Sequence, residues 1–236
     1  MIEKTLPKSL KLLYNFFKTQ NIEKGHFDVE FHFGGDEILY AHKTILWPIS
    51  TVFEERLFGS WKDSSSSASN KATKIPIENY SYENFKEFLT YFYIEKCKIS
   101  NDNVISIVDL SEYYHLETLK EKCDKYLSKM EVEKFEIILW LEFSKLYSLK
   151  FASMHFLDLL RSNISDLIYS ECFLKAKKDT VKAIISSRWL NISEEELFDA
   201  VLKWAKENIE KGDDDNFEES LKKMLKEILP QILKVN

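Results

Sequence analysis

Residues 28–58 read DVEFHFGGDEILYAHKTILWPISTVFEERLF, and this stretch decides the fold of the chain. Apolar and polar residues alternate over residues 29–33, which is the period of a half-buried strand. Residues 34–36, Gly-Gly-Asp, tolerate the positive φ of a tight turn. The alternation then resumes on a return strand that contains Ile38 and Tyr40. The stretch therefore predicts a β-hairpin.

Helical periods flank this hairpin on both sides. Ser50 is of the residue type that caps helices, and it precedes a predicted helix over residues 52–58. Residues 6–20 also predict a helix, whose apolar arc is wide for packing on one side only. That arc contains Leu10, Leu12, Leu13, Phe16 and Phe17.

Composition bounds the class of protein. The 236 residues are 44% hydrophobic and 31% charged, which fits one or two globular domains. Only 5 Gly and 4 Pro occur, so a helix-rich chain with short connections is expected. The net charge is −6 and no dense basic cluster is present, which argues against nucleic-acid partners.

Cysteines and hydropathy give expectations about compartment and chemistry. The 3 cysteines are odd in number and widely spaced, so neither a disulfide framework nor a zinc site is expected. No signal peptide or membrane span is recognisable, which predicts a cytoplasmic or nuclear protein without a membrane partner. No catalytic motif occurs, and adjacent acids on helices do not converge on one point. The sequence thus predicts no enzyme, no catalytic residue, no cofactor and no metal ligand.

The organising stretch resembles the BTB family, which is also called POZ. The resemblance is carried by Asp28-Val29, the Ala41-His42-Lys43 triplet, Leu46, Ser50, Phe53 and Leu57-Phe58. It implies an α+β, mostly helical chain that begins with a small sheet flanked by helices, over residues 1–130. It also implies that the ring of His42 forms hydrogen bonds inside the fold, rather than binding a metal or acting as a base.

The second half of the chain resembles the BACK domain, which follows BTB in Kelch-like adaptors. Ser193 and Glu196 have the spacing of a capping box, and Trp204 lies in the segment that carries the resemblance. Residues 225–233 are similar to a later BACK helix. The resemblance implies an all-α BACK domain over residues 131–236, with residues 131–165 as the "3-box". The sequence contains no Kelch repeats.

The BTB resemblance implies a homodimer in which the first helix packs against a second copy. The residues it assigns to the dimer interface are Leu10, Leu13, Phe16, Phe17, Asp28 and Lys43. Asp28 and Lys43 match an opposite-charge pair near that interface. The alternative is a terminal helix that is covered by its own chain.

The same resemblance implies a contact with the N-terminal domain of cullin-3. Trp61 takes the position of a hydrophobic residue that fills a pocket on the cullin, and Asp63 takes the position of the following acid. Phe58, Tyr113 and Tyr114 are assigned to the same contact, although core packing is the default expectation for the two tyrosines. The alternative is that Trp61 packs only on the end of its own helix.

The expected function is that of an interaction adaptor. By resemblance, the BTB–BACK chain binds cullin-3 as a homodimer and links it to an unknown protein substrate for ubiquitination. The alternative is a scaffold outside the ubiquitin system, or a competitor of cullin-3 adaptors, that recruits transcriptional or cytoskeletal partners.

Overall fold

The described part of the chain contains many helices and one small three-stranded sheet. The computed structural model describes residues 6–59, 72–186, 192–209 and 217–228. The elements follow the order α1 (Lys8–Thr19), α2 (Ile22–Gly25), β1 (Val29–His32), β2 (Ile38–Ala41), α3 (Lys43–Leu46), α4 (Thr51–Phe58), β3 (Thr73–Pro76), α5 (Tyr82–Ile94), α6 (Val104–Tyr113), α7 (Glu117–Leu127), α8 (Ile137–Leu146), α9 (Lys150–Ser162), α10 (Ile164–Leu167), α11 (Glu171–Leu174), α12 (Lys178–Ile185), α13 (Glu194–Asn208) and α14 (Phe217–Ile228). This α+β, mostly helical architecture confirms the predicted fold class.

The predicted hairpin is present as β1 and β2. The strands are antiparallel with Phe31 opposite Leu39, and β3 joins the other edge of β1 in parallel, giving the order β2-β1-β3. Gly35 has a φ of 82°, the left-handed conformation that the turn requires. On β2 the residues that face the interior are Leu39 and Ala41, and the alternating residues Ile38 and Tyr40 are half-buried.

The chain divides into two compact units, residues 1–123 and residues 124–236. Aromatic rings dominate the core of the first unit. Phe53 stacks on Tyr114 with ring centroids 4.3 Å apart, and its edge meets Phe31 at 5.9 Å. The Ser50 hydroxyl accepts the Phe53 backbone N–H, so the predicted cap of α4 is confirmed. The same hydroxyl donates to the Tyr114 carbonyl, which ties α4 to the end of α6.

Helices alone make up the described part of the second unit. The Asp124 carboxylate accepts the backbone N–H groups of Phe151 and Ala152 and so caps the start of α9 from a distance. Ser193 and Glu196 form the predicted capping box at the start of α13. No helix in the described ranges is both long and apolar enough to cross a membrane.

Candidate protein-interaction surfaces

An exposed aromatic pair marks the end of α4. Phe58 is the last residue of that helix and its side chain is 54% exposed. The Trp47 ring lies 6.1 Å from the Phe58 ring at an interplanar angle of 90°, and it is 41% exposed. Neighbouring exposed aromatic side chains are frequent anchors of protein interfaces. We call Trp47 and Phe58 the aromatic edge.

The end of α6 presents two neighbouring tyrosines in opposite environments. Tyr113 is 51% exposed, whereas Tyr114 is buried beneath α4. Burial raises the pKa of Tyr114 to about 12, and the nearby Arg56 guanidinium, which forms a hydrogen bond with it, opposes that rise. Tyr114 is therefore neutral at physiological pH and holds α4 against α6. A partner docking on this face would meet Tyr113 directly.

A groove of about 480 Å³ lies beside these tyrosines. Arg56 and Tyr113 line it, together with the residues that follow β3. In the same groove the Tyr80 hydroxyl donates a hydrogen bond to the Asp109 carboxylate, which fixes the segment after β3 to α6. The face formed by α4 and α6 is thus a shaped surface with both apolar and charged groups.

Two of the predicted cullin-contacting residues, Trp61 and Asp63, lie outside the described residues. Phe58 and Tyr113 are exposed and Tyr114 is buried, as described above. Sequence reasoning did not single out Trp47. The signal was available, because Trp47, Pro48 and Ile49 form an apolar run directly before the capping Ser50, where no helical period buries them.

The residues predicted at the dimer interface fall into different environments. Leu10, Leu13 and Phe16 are half-buried on α1, while Leu12 beside them is 53% exposed. Phe17 is fully buried and stacks on Tyr93 of α5 at 4.3 Å. Its ring belongs to the core of its own chain, so a second copy would meet the other positions of α1.

Asp28 and Lys43 are in contact, but the contact uses the backbone of Lys43 and not its ammonium group. The Asp28 carboxylate accepts the Lys43 backbone N–H at 2.7 Å, at the start of α3. No ion pair joins the two side chains within the described chain. Asp28 therefore acts as a local cap for α3, and the dimer assignment of this pair stays a prediction.

His42 is buried and its ring is bonded on both sides. Its Nε2 donates to the Gly25 carbonyl at 2.8 Å, and its Nδ1 lies 2.8 Å from the Tyr93 hydroxyl. Because a carbonyl can only accept, Nε2 carries the proton and Nδ1 accepts from the hydroxyl when the ring is neutral. The predicted structural role of His42 is confirmed.

Protonation of His42 should destabilise the first unit. Burial lowers the pKa of the His42 ring from its ordinary 6.5. A depressed folded-state pKa means that the unfolded chain takes up the proton more readily. The free energy of unfolding is therefore full above the ordinary pKa of 6.5, and it falls as the pH drops from there to the lower folded-state pKa. An NMR titration of the His42 ring should give a lower midpoint than in the urea-unfolded chain. An equal or higher midpoint would contradict this expectation.

The described ranges contain no cluster of three or more His, Cys, Asp or Glu side chains that could hold a metal ion. Their buried side-chain nitrogen and oxygen atoms all have hydrogen-bond partners. Buried polar groups without a partner are one common mark of a catalytic or ligand site. The features that stand out are accordingly the exposed apolar and charged surfaces.

Comparison with family models assigns each half of the chain to a known domain family. A model described as "BTB/POZ domain" matches residues 17–131, and one described as "BTB And C-terminal Kelch" matches residues 137–234. The chain carries a BTB/POZ domain followed by a BACK domain. These matches confirm the two resemblances that the hairpin and the segment around Trp204 carry in the sequence.

Curated relatives of the BTB–BACK chain include Kelch proteins. Kelch repeat and BTB domain-containing protein 3 of Homo sapiens is 28% identical over 176 residues, which cover 74% of this chain and 28% of the relative. Kelch-like protein 11 of Homo sapiens is 24% identical over 208 residues, covering 84% of this chain and 28% of the relative. The chain thus spans little more than a quarter of the length of these relatives.

Among solved structures, the BTB domain of zebrafish PATZ1 is similar to the BTB–BACK chain. Its sequence is 20% identical, the TM-score is 0.40, and the match covers 52% of this chain and 92% of the other.

Proposed function

We propose that this BTB–BACK chain is an interaction adaptor that binds the N-terminal domain of cullin-3 and links it to a protein substrate for ubiquitination. The observation that carries the proposal is the exposure of Phe58 and Tyr113 at the ends of α4 and α6. The family assignment and the Kelch relatives support an adaptor role. The chain itself performs no catalysis in this proposal.

The contact would be built on the face of α4 and α6. Phe58 and Trp61 would supply apolar anchors, Tyr113 a second aromatic contact, and Asp63 a carboxylate. Aromatic anchors are effective because they bury a large area while fixing few rotatable bonds. Tyr114 would contribute from below, since it joins the two helices whose side chains make the contact.

The adaptor would act as a homodimer through α1. Leu12 is 53% exposed and the neighbouring Leu13 and Phe16 are half-buried, so this helix retains apolar surface that a second copy can cover. A symmetric dimer uses the same patch on both copies, and one helix packed against its mate satisfies that requirement. Such a dimer would present two cullin-binding faces and two substrate-binding arms.

Calorimetry with purified cullin-3 N-terminal domain tests the proposal. We expect sub-micromolar binding with one cullin per chain, and a loss of about 2 kcal/mol or more in Trp61→Ala, which is roughly 30-fold in affinity. Phe58→Ala should also weaken binding. Tyr169→Ala is the matched control, because Tyr169 is a similarly exposed aromatic residue, at 55%, in the second unit. Its affinity should be unchanged.

The outcomes separate the adaptor from its alternatives. A folded dimer without measurable cullin binding would contradict the adaptor proposal and favour a scaffold that recruits other partners. Equal losses in Trp61→Ala and Tyr169→Ala would show that Trp61 is not a specific anchor of the cullin contact. Light scattering on the free protein reports the oligomeric state, and a monomer would overturn the dimer through α1.

A further inference from the structure

The first unit contains a long trough on the side of α5. Its volume is about 850 Å³, and it follows α5 from Tyr82 to Ile94. Side chains of α1, of the segment after α5 and of α7 complete its walls. Five cationic side chains line it: Lys18, Lys86, Lys96, Lys98 and Lys122. We call this feature the lysine trough; it shares no residue with the aromatic edge.

The charge of the lysine trough is positive in a chain whose net charge is negative. Among the described residues, five lysines and three glutamates line it, a local excess of two positive charges. No ion pair of the described residues joins any of these lysines to a carboxylate. One of the carboxylates, Glu87, accepts the backbone N–H of Lys98.

Two of the lysines are held in place by other contacts. Lys122 donates to the Glu95 carbonyl at 2.8 Å, and its ammonium lies 4.7 Å from the centre of the Tyr91 ring. The Lys86 ammonium lies 5.5 Å from the centre of the Tyr82 ring. These contacts are with neutral groups, so they orient the cations without cancelling their charge.

The walls of the trough are not only cationic. The rings of Tyr14 and Tyr82 line it together with the buried Ile94. Burial raises the pKa of the Cys97 thiol, so this side chain adds a neutral, weakly polar surface. A good occupant therefore offers both carboxylates and apolar side chains.

We propose that the lysine trough binds an acidic, extended peptide segment of a partner protein. The 13 residues of α5 span about 20 Å at roughly 1.5 Å per residue. An extended peptide covers that length with about six residues at ~3.4 Å each. Alternate side chains of such a peptide point to opposite sides, so carboxylates can meet the lysines while apolar residues meet the tyrosines.

A peptide fits the trough better than a nucleic acid does. Glu83 and Glu95 also line the trough, where they would repel a continuous phosphate backbone. A peptide can place carboxylates beside Lys96 and Lys98 and leave neutral residues near these glutamates. The proposal is independent of the described part of the cullin contact, because Phe58, Tyr113 and Tyr114 do not line the trough.

Fluorescence anisotropy on the full chain tests the proposal. The probe is a fluorescein-labelled hexapeptide of alternating Glu and Leu, with the alternating Gln and Leu peptide as its uncharged counterpart. We expect saturable binding of the Glu peptide, weakened by about tenfold or more in Lys96→Glu/Lys98→Glu. The control is Lys24→Glu/Lys129→Glu, which makes the same change in net charge at exposed lysines outside the trough. Its affinity should stay within about twofold of the wild type.

Several results would overturn the proposal. Absence of saturable binding would do so, as would equal weakening in the two double variants, which would indicate attraction by net charge alone. Equal binding of the Gln peptide would show that the lysines do not select carboxylates. Stronger competition by single-stranded DNA than by unlabelled Glu peptide would reassign the trough to nucleic acid. Circular dichroism confirms that each variant is folded before its affinity is compared.

Discussion

Replacement of Phe53 by alanine should lower the free energy of unfolding of the first unit by about 3–5 kcal/mol. The Phe53 ring is fully buried, stacks on Tyr114 at 4.3 Å, and meets Phe31 and Phe92 edge-on. Removing it leaves a cavity beneath α4, because the rings around it belong to three different elements and cannot all move inward. The lost free energy of unfolding therefore has two parts. One is the transfer free energy that the buried ring had contributed, and the other is the cost of the cavity that it leaves.

The same helix supplies a matched control. Phe58→Ala removes an identical side chain one turn and a half further along α4, where the ring is 54% exposed and contacts Trp47. We expect a loss below about 1 kcal/mol, the order of one exposed aromatic pair. Hydrogen exchange of the α5 amides, followed by mass spectrometry of the full chain, reports the stability of this unit separately. Equal losses in the two variants would contradict the packing described for Phe53.

The contrast between these two phenylalanines shows what the sequence could predict. Ser50 and Phe53 are separated by the spacing of a cap and the N–H that it accepts, so the start of α4 and its inward face follow from local rules. The hairpin was predictable for the same reason, because alternation and a glycine turn act over a few residues. Local chemistry also accounts for the capping box at Ser193.

The sequence could not predict which of two neighbouring aromatic residues is buried and which is exposed. Phe16 and Phe17 are adjacent on α1, and both were predicted at the dimer interface. Of the two, Phe17 stacks on the ring of Tyr93, which lies on α5, far along the chain. Phe17 is buried because of this contact. No periodicity within α1 contains this information, since its apolar arc is wide enough for either residue to face inward.

The burial of the two tyrosines at the end of α6 could not be predicted from the sequence either. Tyr113 and Tyr114 were both assigned to the cullin contact, yet α6 ends between them and His115 takes a positive φ of 56°. Tyr113 is exposed to water, whereas Tyr114 lies beneath α4 with its ring stacked on Phe53. The partner that decides the burial of Tyr114 is Phe53, which is distant in sequence.

The second large effect is expected at Trp204, on α13. Trp204→Ala should lower the free energy of unfolding of the second unit by about 3–5 kcal/mol. The indole is almost fully buried, and its Nε1–H donates to the Ala176 carbonyl at 2.8 Å. This bond joins α13 to the segment between α11 and α12, so the residue contributes both apolar packing and a fixed connection.

The Trp204→Phe variant separates these two contributions. Phenylalanine keeps most of the apolar ring but cannot donate, so the buried Ala176 carbonyl loses its partner at a cost of about 1–3 kcal/mol. Phe198→Ala is the control on the same helix, because Phe198 is 38% exposed and should contribute little. Hydrogen exchange of the α13 amides measures all three variants. If Trp204→Phe matched the wild type, the hydrogen bond would add nothing to stability. Apolar packing alone would then account for the contribution of Trp204 to the stability of the second unit.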